Sequence, residues 1–184
     1  MDKGTIIFLN GITSSGKTSI VEAMQSYSEP FFYVVANDLF ENTIGDKHLQ
    51  TDYWKYLSEV IIMMYHTAKL FSDSGKNVLI DGMLVERPEL KPHYEKVKEI
   101  FEGFPLEIVE VFCPLDLCRK RNIERGDRRV DQSDEQYKIM SQNISYSCSV
   151  DTSLNTPDEC AEIIITSLFK KKHSILIWEK SEFD

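Results

Sequence analysis

The sequence lacks the features that define several large classes of protein. Its four cysteines form no C-x-x-C pair and have no zinc-ligand spacing, so we expect free thiols rather than a disulfide framework. The four histidines lie far apart and predict no metal site. No apolar run approaches the ~20 residues of a membrane span, and the first strand follows the start without a signal-peptide pattern. We therefore predict a cytoplasmic protein with no membrane partner.

Basic residues are in the minority, with 21 Lys and Arg against 30 Asp and Glu, which gives a net charge of −9. A chain of this sign has no broad basic face for a phosphate backbone, so we expect no nucleic-acid partner. One local basic stretch does occur, at residues 119–129. The length of 184 residues is typical of one domain with a sizeable core, here of residues 1–184.

One short segment near the start matches G-x-x-x-x-G-K-[ST], the phosphate-binding P-loop. An apolar run at residues 5–10 precedes it and predicts a buried strand, and helix-forming residues 19–25 follow it. In such a loop the backbone N–H groups and the helix N-terminus bind phosphate. Lys17 should reach the β- and γ-phosphates, and the Thr18 hydroxyl should ligate Mg²⁺. The predicted nucleotide-binding residues are Gly11, Ile12, Thr13, Ser14, Ser15, Gly16, Lys17, Thr18 and Ser19.

Strand-like and helical stretches alternate along the rest of the chain. Strands are predicted at residues 5–10, 31–35, 77–81, 106–112 and 146–150. Helices are predicted at residues 19–25, 52–72, 92–101, 114–125 and 132–142, and from 157 onward. This alternation predicts an α/β fold, a doubly wound five-stranded parallel sheet with helices on both faces, as in P-loop NTPases of the nucleoside- and shikimate-kinase type. Ligands of such folds bind beyond the carboxyl ends of the strands.

Acidic residues stand at two of those strand ends. Asp38 follows the second strand and could accept a proton from an acceptor hydroxyl, or could cap the helix after it; position alone leaves the two alternatives even. Asp81 follows four apolar residues in the Walker B manner and is predicted to hold Mg²⁺, with a turn aspartate as the alternative. Asp151 and Thr152 follow the fifth strand, in a loop that commonly lies near the nucleotide base in P-loop kinases or is simply a polar turn.

The arginine-rich stretch surrounds Gly126 and is interpreted as a small lid of about residues 119–135. Arginines on a lid can close over a triphosphate and neutralise the charge that develops during transfer. Arg125, Arg128 and Arg129 flank the glycine and are the candidates, although a solvated charged face is the common alternative. The aromatic residues around Asp38 could line an acceptor pocket or pack in the core; they are Phe31, Phe32, Phe40, Tyr53 and Trp54.

Taken together, these residues resemble the chloramphenicol phosphotransferase-like family of P-loop kinases. The matching stretches are residues 7–11, 14–18, 38–39, 78–81, 124–128 and 146–153. The resemblance implies ATP-dependent phosphorylation of a hydroxyl on a small molecule, and it favours Asp38 as the general base over Asp38 as a helix cap. Residues 40–53 and 83–92 depart from the pattern, and these would build the acceptor pocket. The tail, residues 173–184, also lies beyond the resemblance.

The leading hypothesis is therefore a small-molecule kinase that uses ATP and Mg²⁺. Its predicted catalytic residues are Lys17, Asp38, Arg125 and Arg128, with Thr18 and Asp81 at the metal. One alternative is a nucleoside, nucleotide or polynucleotide 5′-hydroxyl kinase on the same scaffold. Another is a nucleotide-binding switch with little turnover. The sequence leaves the acceptor and any homo-oligomer open.

Overall fold

The computed structural model describes residues 2–90, 92–126 and 129–170, and it shows a five-stranded parallel sheet in the order β2-β3-β1-β4-β5. The strands are β1 (Ile6–Asn10), β2 (Phe32–Ala36), β3 (Asn77–Gly82), β4 (Leu106–Phe112) and β5 (Cys148–Asp151). The helices are α1 (Lys17–Gln25), α2 (Asn37–Glu41), α3 (Asp46–Asp73), α4 (His93–Ile100), α5 (Leu115–Arg125), α6 (Gln132–Ile139) and α7 (Pro157–Ile165). A π-helical turn, Thr166–Lys170, follows α7. The predicted fold class is confirmed.

The two faces of the sheet bury different helices, as alternation along a strand requires. In β1, Ile6 and Phe8 lie in one core cluster with α3 and α4. Ile7 and Leu9 lie in the other, with α1 and α7. All four side chains are fully buried, so β1 is the central strand of a sheet covered on both sides.

Two helical segments at the edge of the predicted acceptor region were missing from the sequence prediction. The predicted helix at 52–72 is preceded by a further turn from Asp46, and the two pieces meet at Asp52, whose φ of −155° and ψ of 82° break the helix. The short helix α2 was not predicted. Neither α2 nor the added turn at residues 46–51 has an apolar repeat from which periodicity could have revealed it. In addition, α2 buries none of its residues.

The ends of two other elements also differ from the prediction. The helix predicted at 132–142 ends at Ile139, because Met140 leaves helical geometry and forms an antiparallel bridge with Val85. The strand predicted at 146–150 begins at Cys148, and Tyr146 instead accepts a hydrogen bond from Asn10 Nδ2 at 2.8 Å. Contacts with distant residues therefore set the end of α6 and the start of β5, and the local sequence does not indicate such contacts.

The predicted free thiols are present: Cys113, Cys118 and Cys160 are buried and Cys148 is partly buried, all without disulfides. No group of three or more metal-binding side chains among His, Cys, Asp and Glu occurs within the described residues. The described helices include none that is long and apolar enough to cross a bilayer. Arg128 and the tail at 173–184 lie outside the described residues.

Candidate active site

Three chain segments leave neighbouring strands at the same edge of the sheet. In the register of the parallel strands, Leu9 pairs with Asp81, and Asp81 pairs on its other side with Ala36. The P-loop follows β1 after Asn10, and Asp38 follows β2 by two residues. The carboxyl ends of the three strands therefore bring together the P-loop, Asp81 and Asp38, as the parallel-sheet rule predicts.

At the centre of this edge, Lys17 and Thr18 meet Asp81. The Thr18 hydroxyl donates to Asp81 Oδ2 at 2.9 Å, and Lys17 Nζ lies 3.9 Å from Asp81 Oδ1. Lys17 also donates to the carbonyls of Gly11 and Ile12, at 2.8 and 3.1 Å. The Lys17 and Asp81 side chains are only 13% and 14% exposed, so their charges are partly shielded from water. A hydroxyl and a carboxylate together are the oxygen ligands that Mg²⁺ prefers.

The loop itself fits a bound phosphate. Gly16 precedes α1 with a φ of +100°, a left-handed angle that favours glycine, and a Cβ there would lie 3.1 Å from Thr152 Cγ2. A Cβ on Gly11 would lie 2.6 Å from the Val111 carbonyl oxygen, so packing against β4 excludes a side chain. No side chain caps the start of α1, and its first turn holds no acidic residue. The positive end of the helix dipole therefore faces the loop without a capping side chain, as suits an anion site.

The loop after β5 packs directly on the P-loop, but its two candidate residues differ. Thr152 lines the cavity and donates from Oγ1 to the Ser15 carbonyl at 2.7 Å. Asp151 Oδ1 accepts from the amide and the hydroxyl of Ser153 at 2.8 and 2.6 Å. Those contacts favour the turn alternative for Asp151, and they leave Thr152 as the residue of this pair that contacts the P-loop.

Arg121 holds these two loops together, and the sequence analysis did not single it out. Its Nη1 donates to Thr152 Oγ1 at 3.0 Å, and its Nη2 donates to the Thr152 carbonyl at 2.8 Å. Nη1 also lies 3.5 Å from the Ser14 carbonyl oxygen. A planar guanidinium can make such a forked contact, whereas a lysine ammonium cannot. Arg121 is half-buried inside a charged run, and no sequence signal separated it from the solvated arginines beside it.

The other arginines of the predicted lid have different surroundings. Arg119 pairs with Asp116 and Asp134 and thereby joins α5 to α6; this pairing lowers the pKa of Asp134. Arg129 pairs with Glu135 and lies 3.9 Å from Asp131. Both therefore lie in surface ion pairs, which for the candidate Arg129 favours the alternative of a solvated charged face. Arg125 is exposed and lines the cavity.

Two amide side chains connect the lid region with the P-loop, and both were missed. Asn122 of α5 is fully buried; its Oδ1 accepts from the Ser14 hydroxyl at 3.2 Å, and its Nδ2 donates to the Arg129 carbonyl at 2.5 Å. Gln136 of α6 accepts the Thr13 backbone N–H at 2.5 Å through Oε1. Neutral amides in polar helices match no motif, so only the tertiary arrangement reveals them.

A cavity of about 1030 Å³ extends from the P-loop to α2 and the start of α3. Asp38 lies exposed on its wall, in the first turn of α2, where Ala36 occupies the N-cap position and no side chain caps the helix. The alternative of Asp38 as a helix cap is therefore wrong. Tyr53 and Trp54 line the cavity as expected for an acceptor pocket. The remaining three aromatic residues do not: Phe32 is buried, Phe40 packs on the core and Phe31 is exposed.

The model of the chloramphenicol phosphotransferase-like protein family matches residues 4–169, most of the chain. The chain belongs to this family. A Mycobacterium tuberculosis protein named "putative O-phosphotransferase" is 24% identical over 185 residues, which cover 88% of this chain and 80% of that protein. The predicted family resemblance is thus confirmed.

Solved structures of P-loop kinases share the fold. The Mycobacterium tuberculosis APS kinase, solved with AMPPNP and APS, has a TM-score of 0.64 and 18% identity, covering 91% of this chain and 99% of that one. A gluconokinase from Sinorhizobium meliloti 1021 has a TM-score of 0.63 and 16% identity, covering 97% and 99%. At these identities the likeness establishes the fold alone.

Proposed function

We propose that this protein is an ATP- and Mg²⁺-dependent phosphotransferase that transfers the γ-phosphate to a hydroxyl of a small organic molecule. Lys17 neutralises charge on the β- and γ-phosphates, and Thr18 and Asp81 hold the metal. Asp38 is the general base. Arg125 and Arg128 add positive charge from the lid. The family and the kinase fold support phosphoryl transfer, while the donor, the metal and the acceptor are parts of the proposal.

The observation that carries the proposal is that one cavity is lined both by the cluster of Lys17, Thr18 and Asp81 and by Asp38. Within the cluster, the Thr18 hydroxyl lies 2.9 Å and the Lys17 ammonium 3.9 Å from Asp81 oxygens. A binding switch needs these three residues but not a further carboxylate in the same cavity. A volume of about 1030 Å³ that holds both groups favours a reaction between two bound molecules.

The chemistry follows from what each side chain can do. Thr18 and Asp81 would hold Mg²⁺, which when bound would offset the negative charge that develops in transfer. Asp38 accepts the hydroxyl proton on a carboxylate oxygen as the acceptor oxygen bonds to the γ-phosphorus; the bond from that phosphorus to the β–γ bridging oxygen breaks, and ADP leaves. Lys17 is shielded from solvent, so its ammonium acts more strongly there than it would in water.

The acceptor wall favours a small organic molecule over a polynucleotide. Tyr53 and Trp54 provide aromatic surface, and Leu57, Ile61 and Met83 provide apolar surface in the same cavity. Such walls are typical of small-ligand pockets, where a few polar groups fix the orientation. A polynucleotide kinase needs a basic track for the backbone, and the chain carries a net charge of −9.

The test is phosphate transfer from labelled ATP to a panel of hydroxylated antibiotics, nucleosides and sugars, with 5′-hydroxyl oligonucleotides in parallel. We expect product from one class of small acceptor and none from oligonucleotides. Transfer to oligonucleotides that falls steeply with salt and is absent from the panel would support the polynucleotide alternative. Slow ATP hydrolysis that no acceptor stimulates would support a switch.

A further inference from the structure

The P-loop contact of Gln136 is not explained by the roles proposed above. Gln136 lies on α6, lines the cavity, and accepts the backbone N–H of Thr13 at 2.5 Å. Thr13 is inside the loop whose N–H groups are the phosphate donors of this motif. A side-chain oxygen of α6 therefore occupies one donor of the loop.

Lys17 and Gln136 hold opposite ends of the same peptide group. Lys17 Nζ binds the carbonyl of Ile12 at 3.1 Å, and Gln136 Oε1 binds the N–H of Thr13. Lys17, which is assigned to the β- and γ-phosphates, and Gln136 of α6 thus bind the same peptide unit of the loop. This places Gln136 at the end of the nucleotide site that would hold the γ-phosphate, rather than at the end that would hold the nucleobase.

The frame around α6 holds Gln136 in this position. Near its start, Asp134 pairs with Arg119 of α5. At its end, the Glu86 amide donates to the Ile139 carbonyl at 2.6 Å, and the Ser141 amide donates to the Leu84 carbonyl at 2.9 Å. A helix fixed on both sides gives its side chains a defined geometry over the loop.

An amide suits this position better than a carboxylate. With Oε1 bound to Thr13, the two Nε2 hydrogens are the donors that the side chain can offer to the cavity. An amide of this kind can hold the loop and donate to a phosphate oxygen at once. A carboxylate could hold the loop, but its charge would repel the phosphate.

We propose that Gln136 is a binding residue that recognises the γ-phosphate, so that α6 distinguishes a nucleoside triphosphate from a diphosphate. The inference rests on the proposed nucleotide-binding function and assigns that site a determinant outside the P-loop motif. Its Oε1 stays on the Thr13 N–H, and its Nε2 donates to the terminal phosphate.

The test compares dissociation constants for ADP and for a non-hydrolysable ATP analogue, both with Mg²⁺, by calorimetry. Gln136→Ala should weaken the analogue about tenfold and ADP by less than about twofold, since hydrogen bonds to charged groups are the stronger class. Gln136→Glu keeps the shape and should shift the ratio of the two constants further. Gln142→Ala removes an equivalent exposed amide just beyond α6 and should change neither constant.

Amide hydrogen exchange provides the second readout, without nucleotide. Exchange at Thr13 should be faster in Gln136→Ala than in the wild type, because its hydrogen-bond acceptor is gone. If Gln136→Ala leaves the ratio of the two dissociation constants unchanged, because both nucleotides bind equally more weakly or neither does, the contact is purely structural. That result would overturn the inference and leave the proposed function intact. A wild-type protein that binds neither nucleotide would overturn both.

Discussion

The phosphate side and the acceptor side of the cavity are built in different ways. On the phosphate side, the P-loop is hydrogen-bonded to three distant parts of the chain: it donates to Asn122 and Gln136 and accepts from Thr152. On the acceptor side, α2 buries none of its five residues, and Leu39 is 58% exposed beside Asp38. The P-loop is thus braced by side chains from distant segments, whereas α2 on the acceptor side has no buried residue.

The difference suits the chemistry that we propose for each side. Triphosphate geometry is the same in every turnover, so a rigid cradle lowers the cost of orienting it. Acceptors vary in shape, and a segment with few buried contacts can adjust at low free-energy cost. We therefore expect changes on the phosphate side to affect every acceptor equally, and changes on the acceptor side to depend on which acceptor is used.

The largest expected effect is at Lys17. Lys17→Ala should abolish transfer to every acceptor while the protein stays folded, because the side chain supplies the partly buried charge next to Asp81. The measurement is turnover of the purified variant, with circular dichroism as the check on folding. Lys47→Ala on the exposed start of α3 is the control and should retain full rate. Near wild-type turnover of Lys17→Ala would remove the P-loop from the mechanism.

Asp38 should show the next largest effect. Asp38→Asn should lower turnover by about 10²–10⁴-fold and leave the dissociation constant of ATP nearly unchanged, since the amide cannot take the proton. Single-turnover rates and calorimetric titration with an ATP analogue separate the two quantities. Asp46→Asn, in the first turn of α3, is a matched control. An unchanged rate, or a loss of ATP affinity instead, would contradict the assignment of a base to the acceptor side.

Arg121 tests whether the bracing of the phosphate side matters for binding. Arg121→Ala removes the contacts to Thr152 and should raise the dissociation constant of ATP about tenfold. Lys120→Ala on the exposed face of α5 should leave it unchanged. Arg125→Ala should also weaken ATP binding and slow transfer, but it should lower the melting temperature less than Arg121→Ala does. If Arg121→Ala and Lys120→Ala have the same dissociation constant for ATP, the contacts of Arg121 with Thr152 are dispensable for binding.

The smallest effect concerns stability behind the acceptor wall. His93 is fully buried; its Nδ1 accepts the Val85 N–H at 3.0 Å, so its Nε2–H donates to Tyr65 Oη at 2.8 Å. Burial, with a smaller effect of Lys96, lowers the pKa of His93 from 6.5 to about 4. The unfolded chain therefore binds this proton first as the pH falls. This stabilisation is present above pH 6.5 and is lost as the pH falls towards 4, by about 1 kcal/mol at pH 5.5.

Urea unfolding at pH 7.5 and 5.5 measures this loss. His93→Gln should show a smaller drop in unfolding free energy between the two pH values than the wild type shows. His66→Gln on the exposed face of α3 should keep the wild-type drop. An identical drop in both variants would mean that other groups set the acid sensitivity of this core.

The phosphate side was largely predictable because its chemistry is local in the chain. Lys17 and Thr18 follow two glycines by fixed spacing, and a buried strand precedes Asp81, so a motif and periodicity were enough to place them. The strand and helix alternation likewise predicted the parallel sheet. The family resemblance added the hypothesis of a base at Asp38, which stays a prediction.

The sequence by itself determined the layered sheet and the P-loop, since both depend on residues that are neighbours in the chain. Only the tertiary structure decided that Arg121, rather than the arginines next to it, holds Thr152, and that Gln136 reaches Thr13 across 123 positions. It also decided that α6 ends at Ile139 and that α2 forms at all. These outcomes depend on which surfaces meet after folding, and a pairing across the sheet leaves no periodic trace in either partner.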